Sequence, residues 1–295
     1  MGKLIGCSIF LSIAHLILAG VTQEWIDQTV KNAKPGHMEL DPRYGNIFDT
    51  AFFQNYSDSA SRISGGGWES QPHSRPYQAA IYVETSSGSS FCGGTLISSK
   101  TILTAAHCLY QSIGNPIIIY IGAHNMPPTV EDDAAQLLGH VYELHPDWNP
   151  STLQNDIGMI FLFETIQETE TIKFIPLASD PSIDYLGEEG LTSGWGLPGD
   201  DHSSASPVLR ETTNRIISNL ACRLAYMGHV TRTNICMSGE EKRSTCRGDS
   251  GGPLVVDGVQ VGITSFGTSA GCEVGWPPAF TRVSSYIEWI RAKQE

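Results

Sequence analysis

The sequence predicts an all-β protein. Its 295 residues are 40% hydrophobic and include 30 glycines, which suits a well-buried core interrupted by many turns. Short runs of β-branched and aromatic residues alternate with stretches of Gly, Ser, Asn and Pro, the pattern of strands joined by turns. The predicted strands are 77–84, 94–98, 117–122, 139–145, 158–163, 190–194, 211–217, 253–256, 260–266 and 279–283.

The C-terminus departs from this pattern and predicts a helix over 284–293. Ser285 followed by Glu288 fits a capping box, in which each side chain accepts a backbone N–H at the start of the helix. Tyr286 and Ile290 lie at helical spacing and belong to one apolar stripe. We expect this stripe to pack against the core.

The charge balance limits the kinds of partner. The formal net charge is −13. A nucleic-acid-binding surface requires a basic patch, so nucleic acid is not expected as a partner. The acidic excess otherwise indicates a solvated surface, and we infer no partner from it.

Residues 1–20 predict a secretory signal peptide. Lys3 supplies a short basic region, residues 4–19 are apolar, and small residues end the segment. The alternative is a membrane anchor, but the apolar run is short for a membrane span and contains His15. We therefore expect a secreted, extracellular protein without a membrane segment.

The cysteines predict disulfides. Cys7 would leave with the signal peptide, and the six that remain form an even set in an oxidising compartment. The alternatives are free buried thiols or a zinc site, and the lack of a Cys-x-x-Cys cluster argues against zinc. The sequence alone leaves the pairing open. The six are Cys92, Cys108, Cys222, Cys236, Cys246 and Cys272.

Three short motifs contain the residue types that nucleophilic hydrolysis requires. His107 lies in Thr-Ala-Ala-His-Cys, Asp156 in Asn-Asp-Ile, and Ser250 in Gly-Asp-Ser-Gly-Gly-Pro. A serine hydroxyl is a weak nucleophile at neutral pH, so it needs a neutral imidazole that takes its proton and later gives it to the leaving group. A buried carboxylate behind the imidazole would fix its tautomer. We assign Ser250 as candidate nucleophile, His107 as base and Asp156 as orienting acid.

The glycines around Ser250 suit an oxyanion hole. A carbonyl oxygen that becomes anionic must be met by backbone N–H groups that converge on one small space. A residue without Cβ readily allows the backbone to approach a ligand this closely. We expect the N–H groups of Gly248 and Ser250 to be this pair.

The motifs together resemble those of the chymotrypsin-like (S1) serine endopeptidases, although a single one would more often be a turn or a core histidine. The resemblance covers 63–295, and segments 121–125, 195–198 and 271–283 are most similar to arthropod chymotrypsin-like and brachyurin (crustacean collagenase-type) enzymes. The motifs are Cys92-Gly93-Gly94, Ala105-Ala106-His107-Cys108, Asn155-Asp156-Ile157, Ser193-Gly194-Trp195-Gly196, Gly248-Asp249-Ser250-Gly251-Gly252-Pro253 and Ser265-Phe266-Gly267.

The resemblance implies a fold of two six-stranded antiparallel barrels, about 63–172 and 173–280, with the active site in the cleft between them. It also implies three disulfides. Gly190 and Val256 depart from the family pattern, because many relatives carry a further cysteine pair there. The implied pairs are Cys92–Cys108, Cys222–Cys236 and Cys246–Cys272.

The resemblance also makes 21–62 a propeptide. Arg62 followed by Ile63 resembles the activation junction of the family, with Ser64 in place of the usual valine. Cleavage would create an ammonium group at Ile63 that could pair with Asp249, whose burial without a partner would be costly. No cysteine lies in 23–62, so we expect the propeptide to leave after cleavage.

The resemblance places the specificity pocket beside Ser250. Ser244 is expected at the floor, and Ser265, Phe266 and Gly267 along one wall. No carboxylate is at the floor, so an entering Lys or Arg would bury an unpaired charge, which predicts large apolar or aromatic substrate residues. Pro278 is expected in the wall as well, where its ring would shorten the pocket and favour Leu or Met over Trp.

The acidic residues 131–133 could bind calcium, since this hard cation takes several oxygen ligands. Calcium-binding relatives supply a carboxylate where this chain has Ala123, so we favour a solvated loop without metal. The resemblance implies no cofactor.

These observations predict the secreted zymogen of a monomeric serine endopeptidase that hydrolyses proteins or peptides through an acyl-enzyme. Its expected partners are substrates, an activating trypsin-like protease and protein inhibitors. One alternative is a catalytically silent homologue that serves as a binding or regulatory module, against which the intact motifs argue. Another is a selective protease that activates a cascade, which the lack of a cysteine-rich segment before Arg62 disfavours.

Overall fold

The computed structural model describes residues 22–35, 67–126 and 134–294, and these contain two β-barrels. Each barrel is a closed sheet of six antiparallel strands, so the predicted fold class is confirmed. The signal segment 1–20, the junction between Arg62 and Ile63, and the acidic loop 131–133 lie outside the described residues.

The first barrel has the strand order β4-β3-β6-β7-β8-β5, and pairing of β5 with β4 closes it. Side chains alternate between its interior and its exterior, as in any pleated strand. Ile117 and Ile119 face the interior cluster, whereas Ile118 between them belongs to a second apolar cluster outside. The strands are β3 (Gln78–Thr85), β4 (Gly88–Ser98), β5 (Thr101–Thr104), β6 (Ile117–Ile121), β7 (Ala135–Leu144) and β8 (Gly158–Leu162).

The second barrel has the order β10-β11-β14-β13-β12-β9, and β9 closes it on β10. Two short strands are added to the barrels. Strand β1 (Lys34–Pro35) runs parallel to β4, and β2 (Trp68–Glu69) pairs with β10, so β2 joins the second barrel although it lies in the range predicted for the first. The barrel strands are β9 (Glu189–Gly194), β10 (Arg210–Ile217), β11 (Asn234–Met237), β12 (Pro253–Val256), β13 (Val259–Phe266) and β14 (Ala279–Arg282).

The described residues also contain four α-helices. The C-terminal helix begins later than predicted, because a 3-10 turn over Val283–Tyr286 precedes it. Ser285 lies inside this turn and is exposed, so it does not cap the helix. Tyr286 and Ile290 are buried against the first barrel's interior cluster, as expected. The helices are α1 (Gln23–Asn32), α2 (Ala106–Leu109), α3 (Asn219–Ala225) and α4 (Ile287–Gln294).

Within the described ranges, no helix is both long and apolar enough to cross a membrane.

Three disulfides are present, and their pairing is the one that the resemblance implied. They join Cys92 to Cys108, Cys222 to Cys236 and Cys246 to Cys272. The structure also explains how the chain manages without a fourth bridge. A Cβ at Gly190 would lie 2.8 Å from side-chain carbons of Ile216 and Leu254, so apolar packing fills the space beside this residue.

Glycines allow the two barrels to meet. The N–H of Gly93 in β4 donates to the carbonyl oxygen of Ser250 at 2.8 Å. Gly251 has a φ of +80°, and a Cβ there would lie 2.5 Å from the carbonyl oxygen of Gly93 and closer still to the Thr104 hydroxyl. Backbone atoms cannot move aside as a flexible side chain can, so this position requires glycine.

We predict that Gly251→Ala lowers the free energy of unfolding by about 3 kcal/mol or more, since it combines a left-handed backbone with a clash. Gly258→Ala is the matched control, because Gly258 has a φ of +78° and nothing within 4 Å of the added atom. It should cost about 1 kcal/mol. Urea unfolding measures both values, and equal losses would contradict the close contact.

Candidate active site

His107 lies on the one-turn helix α2 and is held by its neighbours. The disulfide between Cys92 and Cys108 ties the residue after His107 to strand β4. The backbone N–H of His107 donates to Asp156 Oδ1 at 2.9 Å, and its ring Nδ1 lies 2.8 Å from Asp156 Oδ2. The carboxylate can only accept at this position, so the ring proton belongs on Nδ1 and Nε2 is left as an acceptor.

Asp156 is fully buried and is oriented by residues of the second barrel. The Ser265 hydroxyl donates to Oδ2 at 2.6 Å, and the Thr281 hydroxyl donates to the backbone carbonyl of Asp156 at 2.7 Å. The sequence placed Ser265 in the pocket wall alone and gave no role to Thr281. The first barrel therefore supplies the carboxylate, and the second barrel supplies two of the hydroxyls that hold it.

The turn before Asp156 explains how the carboxylate reaches this position. Asn155 has a φ of 56°, a left-handed conformation that Asn tolerates better than most residues. Its side-chain amide donates to the Asp147 carbonyl at 2.7 Å and accepts from the Tyr286 hydroxyl at 2.8 Å. The C-terminal 3-10 turn therefore helps to fix the loop that carries the acid.

Ser250 comes from the loop before β12 and lines a cavity. Its carbonyl oxygen lies 3.6 Å from the Sγ of Cys108, which places it beside the residue that follows His107. Nε2 of His107 is buried and has no hydrogen-bond partner among the described atoms. The Ser250 hydroxyl is therefore not bonded to the imidazole in this state, and such contacts commonly tighten when substrate binds.

The backbone at the candidate oxyanion hole has the conformation that glycine permits. Gly248 has a φ of 98°, in the range that side chains rarely adopt. The two residues after it begin a tight turn, in which the N–H of Gly252 donates to the Asp249 carbonyl at 2.9 Å.

Asp249 is a second buried carboxylate, enclosed by backbone. Its Oδ1 accepts from the N–H of Gly196 and its Oδ2 from the N–H of Cys246, both at 2.8 Å. A Cβ on Gly194 or Gly196 would collide with this carboxylate. Burial raises the pKa of Asp249 to about 6, although the two backbone hydrogen bonds and the positive charge of Arg210 oppose the rise.

A cavity opens beside Ser250, and four of the five predicted pocket residues line it: Ser244, Ser265, Phe266 and Gly267. The fifth, Pro278, is not in the lining. It is buried, and its carbonyl accepts from the N–H of Met237 at 3.3 Å. The other residues around the cavity are Tyr226, Thr245, Cys246, Thr264, Thr268, Gly271, Cys272 and Trp276.

Two aromatic residues in this lining were not predicted. Tyr226 packs edge-on against Phe266 and Trp276, with ring centroids 5.2 and 5.6 Å away, and its hydroxyl donates to the Pro277 carbonyl at 2.7 Å. Tyr226 follows helix α3, which the sequence analysis missed. The signal that could have placed it is Cys222, because its bridge to Cys236 holds α3 against β11.

Two clusters in the described residues bring metal-ligating atoms within 4.8 Å of one another. One joins His107 to Cys92 and Cys108, and the other joins Asp200 to Cys246 and Cys272. Each contains a disulfide pair, whose sulfurs carry no thiolate for a metal. Neither donor set therefore suits a metal ion.

Comparison with known proteins identifies relatives. The family model described as Trypsin matches residues 64–290. Brachyurin from Leptuca pugilator is 41% identical over 231 residues, which cover 77% of this chain and 97% of that protein. Chymotrypsin from Phaedon cochleariae is 38% identical over 256 residues, which cover 86% of this chain and 90% of that protein. A solved structure of HL collagenase has a TM-score of 0.70 and 31% identity, over 77% of this chain and 97% of its own.

The fold and the matches agree. The matched residues include both barrels and all three residues of the His107, Asp156 and Ser250 cluster. The resemblance to chymotrypsin-like and brachyurin enzymes is thereby confirmed. The chain belongs to the trypsin family of serine endopeptidases.

Proposed function

We propose that the chain is the zymogen of a secreted endopeptidase that prefers large apolar or aromatic residues and uses Ser250 as its nucleophile. The observation that carries the proposal is the arrangement of the two ring nitrogens of His107. Its Nδ1 faces the buried carboxylate of Asp156 at 2.8 Å, while its buried Nε2 has no hydrogen-bond partner among the described atoms.

This arrangement supports hydrolysis in two steps. The Ser250 oxygen bonds to the substrate carbonyl carbon while its proton passes to Nε2, and the resulting oxyanion accepts from the N–H groups of Gly248 and Ser250. His107 then gives the proton to the leaving amine as the peptide bond breaks. Water repeats the sequence on the acyl-enzyme and frees the acid and Ser250. Asp156 stabilises the imidazolium in both steps.

The cavity lining supports the apolar preference. Among the described residues, the lining contains no Asp, Glu, Lys or Arg, and Phe266, Tyr226 and Trp276 supply aromatic surface. Ser244 gives the cavity a neutral residue where a basic substrate would need a carboxylate. The substrate class is therefore protein or peptide with a large uncharged side chain before the cleaved bond.

The environment of Asp249 supports activation by cleavage between Arg62 and Ile63. A buried carboxylate with a raised pKa favours any cation that can reach it. The ammonium group at a new Ile63 terminus is such a cation, and a trypsin-like protease would cut after Arg62. Pairing would order the backbone from Gly248 to Ser250, which adjoins Asp249 on both sides.

Secretion is supported by the three disulfides, because such bonds persist in oxidising compartments. The signal peptide at 1–20 and the propeptide at 21–62 belong to the same proposal, as do a monomeric enzyme and regulation by protein inhibitors.

Removal of the nucleophile tests the assignment. After cleavage by trypsin, Ser250→Ala should lower kcat/KM on an apolar peptide substrate by at least about 1,000-fold, because no acyl-enzyme forms. Ser203→Ala, a change at an exposed serine, should leave the rate unchanged. Far-ultraviolet circular dichroism confirms that both variants fold. Covalent labelling of the wild-type enzyme at a serine other than Ser250 would contradict the assignment.

The raised pKa of Asp249 predicts a pH dependence in the uncut chain. The unfolded carboxyl ionises near its ordinary value of 3.8, whereas the buried one keeps its proton to about 6. Stability should therefore be lost as pH rises from about 4 to 6, by on the order of 3 kcal/mol. Urea unfolding of uncut Ser250→Ala protein measures this slope, and adding Asp249→Asn should remove it. An unchanged slope in the Asn variant would exclude Asp249 as its source.

Cleavage products from a peptide library test the pocket. The trypsin-activated enzyme should cut after Phe, Tyr, Leu or Met at least about 10-fold better, in kcat/KM, than after Lys or Arg. Ser244→Asp should lower kcat/KM on the apolar substrates, because it puts an unpaired charge in the cavity. Ser244→Ala is the control and should keep the apolar preference. A wild-type preference for Lys or Arg would refute the pocket assignment.

A further inference from the structure

The N-terminal segment 22–35 packs against the outside of the first barrel. Ile26 has no exposed surface and Val30 is 5% exposed. Both belong to one apolar cluster with outward-facing residues of the barrel strands. The other buried members are Ala80, Tyr82, Phe91, Ile118, Tyr120, Ala123, Leu138, Trp195 and Leu209.

The barrel face beneath the helix is apolar on the side where strands usually meet solvent. In β3, Ala79 and Ile81 face the barrel interior, whereas Ala80 and Tyr82 belong to the outer cluster. All four are buried, and Tyr82 is 1% exposed. Exposure of such a face would be unfavourable, because apolar surface would return to water. Helix α1 therefore shields apolar barrel surface that would otherwise be exposed to water.

Helix α1 is amphipathic, and its apolar face is the one that packs against the barrel. Ile26, Thr29 and Val30 lie on one face at helical spacing and are buried. Gln28 and Lys31 lie on the opposite side and are exposed. A helix of ten residues is marginal on its own in water, so its order depends on the barrel.

Strand β1 adds a second attachment. Lys34 pairs with Ser90 and the next residue pairs with Phe91, in parallel along the edge of β4. Addition of a strand to a free edge is a common mode of peptide recognition. The pairing lies near the catalytic cleft, since Gly93 in the same strand donates to the Ser250 carbonyl.

We propose that residues 22–35 stay bound to the first barrel after the chain is cut, so that the mature enzyme is a non-covalent complex of two chains. This rests on the proposed cleavage between Arg62 and Ile63. The prediction that the propeptide leaves after cleavage rested only on the lack of a cysteine that could tether it. The burial of Ile26 and Val30 and the pairing with β4 hold the segment without one.

The test uses the full chain with Ser250→Ala, in which the recognition sequence of a site-specific viral protease replaces residues 44–49. Cutting there does not depend on Arg62. In size-exclusion chromatography at micromolar concentration, the N-terminal fragment should elute with the barrels, and hydrogen exchange should show α1 protected. Ile26→Asp should weaken binding by at least about 100-fold, because it removes apolar burial and buries a charge. Gln28→Asp, at an exposed position of the same helix, is the control and should elute with the barrels.

Separation of the unmodified fragment from the barrels would overturn the proposal, and so would equal retention of the Ile26→Asp fragment. The unmodified fragment decides the question even if the Asp variant fails to fold. A parallel arm treats the natural sequence with trypsin. An active enzyme beginning at Ile63 whose fragment is lost would refute the docking and leave the proposed function intact. A chain that is cut between Arg62 and Ile63 and keeps its fragment, but stays inactive, would refute the proposed activation and leave the docking intact.

Discussion

The buried carboxylate of Asp156 is the constraint on which the active site depends. It has no exposed surface and accepts from the backbone and ring of His107 and from the Ser265 hydroxyl. His107 belongs to the first barrel and Ser265 to the second, so the carboxylate keeps all of these donors only while the two barrels are in contact. The contact between the barrels therefore helps to orient the carboxylate that sets the tautomer of the imidazole.

Asp249 shows the opposite use of a buried carboxylate. Two backbone N–H groups satisfy it in part, yet burial still raises its pKa to about 6. Asp156 is matched within the described structure, whereas Asp249 favours an additional cation. In the proposed function, Asp156 therefore serves catalysis and Asp249 serves activation. Asp249 directly precedes Ser250, so in this proposal activation and catalysis depend on the same piece of backbone.

The ordered motifs allowed the fold class and the two barrels to be predicted, because they are local and dense. Four of the five residues expected in the pocket line the cavity beside Ser250. What the sequence did not show depends on contacts between distant segments. Strands β5 (Thr-Ile-Leu-Thr) and β11 (Asn-Ile-Cys-Met) were not predicted, because each mixes polar and apolar residues without alternation. Pro278 was expected in the pocket wall by resemblance, but it is not among the residues that line the cavity, whereas Trp276 is. Ile26 and Val30 offered no signal, since their role appears only against Tyr82 and Phe91.

The central claim is that Asp156 holds the proton of His107 on Nδ1 and leaves Nε2 to accept one from Ser250. Nitrogen-15 NMR of His107 in the trypsin-cut enzyme at neutral pH tests it most directly. We predict a proton bonded to Nδ1 and none on Nε2, with the preference lost in Asp156→Asn. A proton resident on Nε2 in the wild-type enzyme would contradict the account, because the imidazole could not then act as the base.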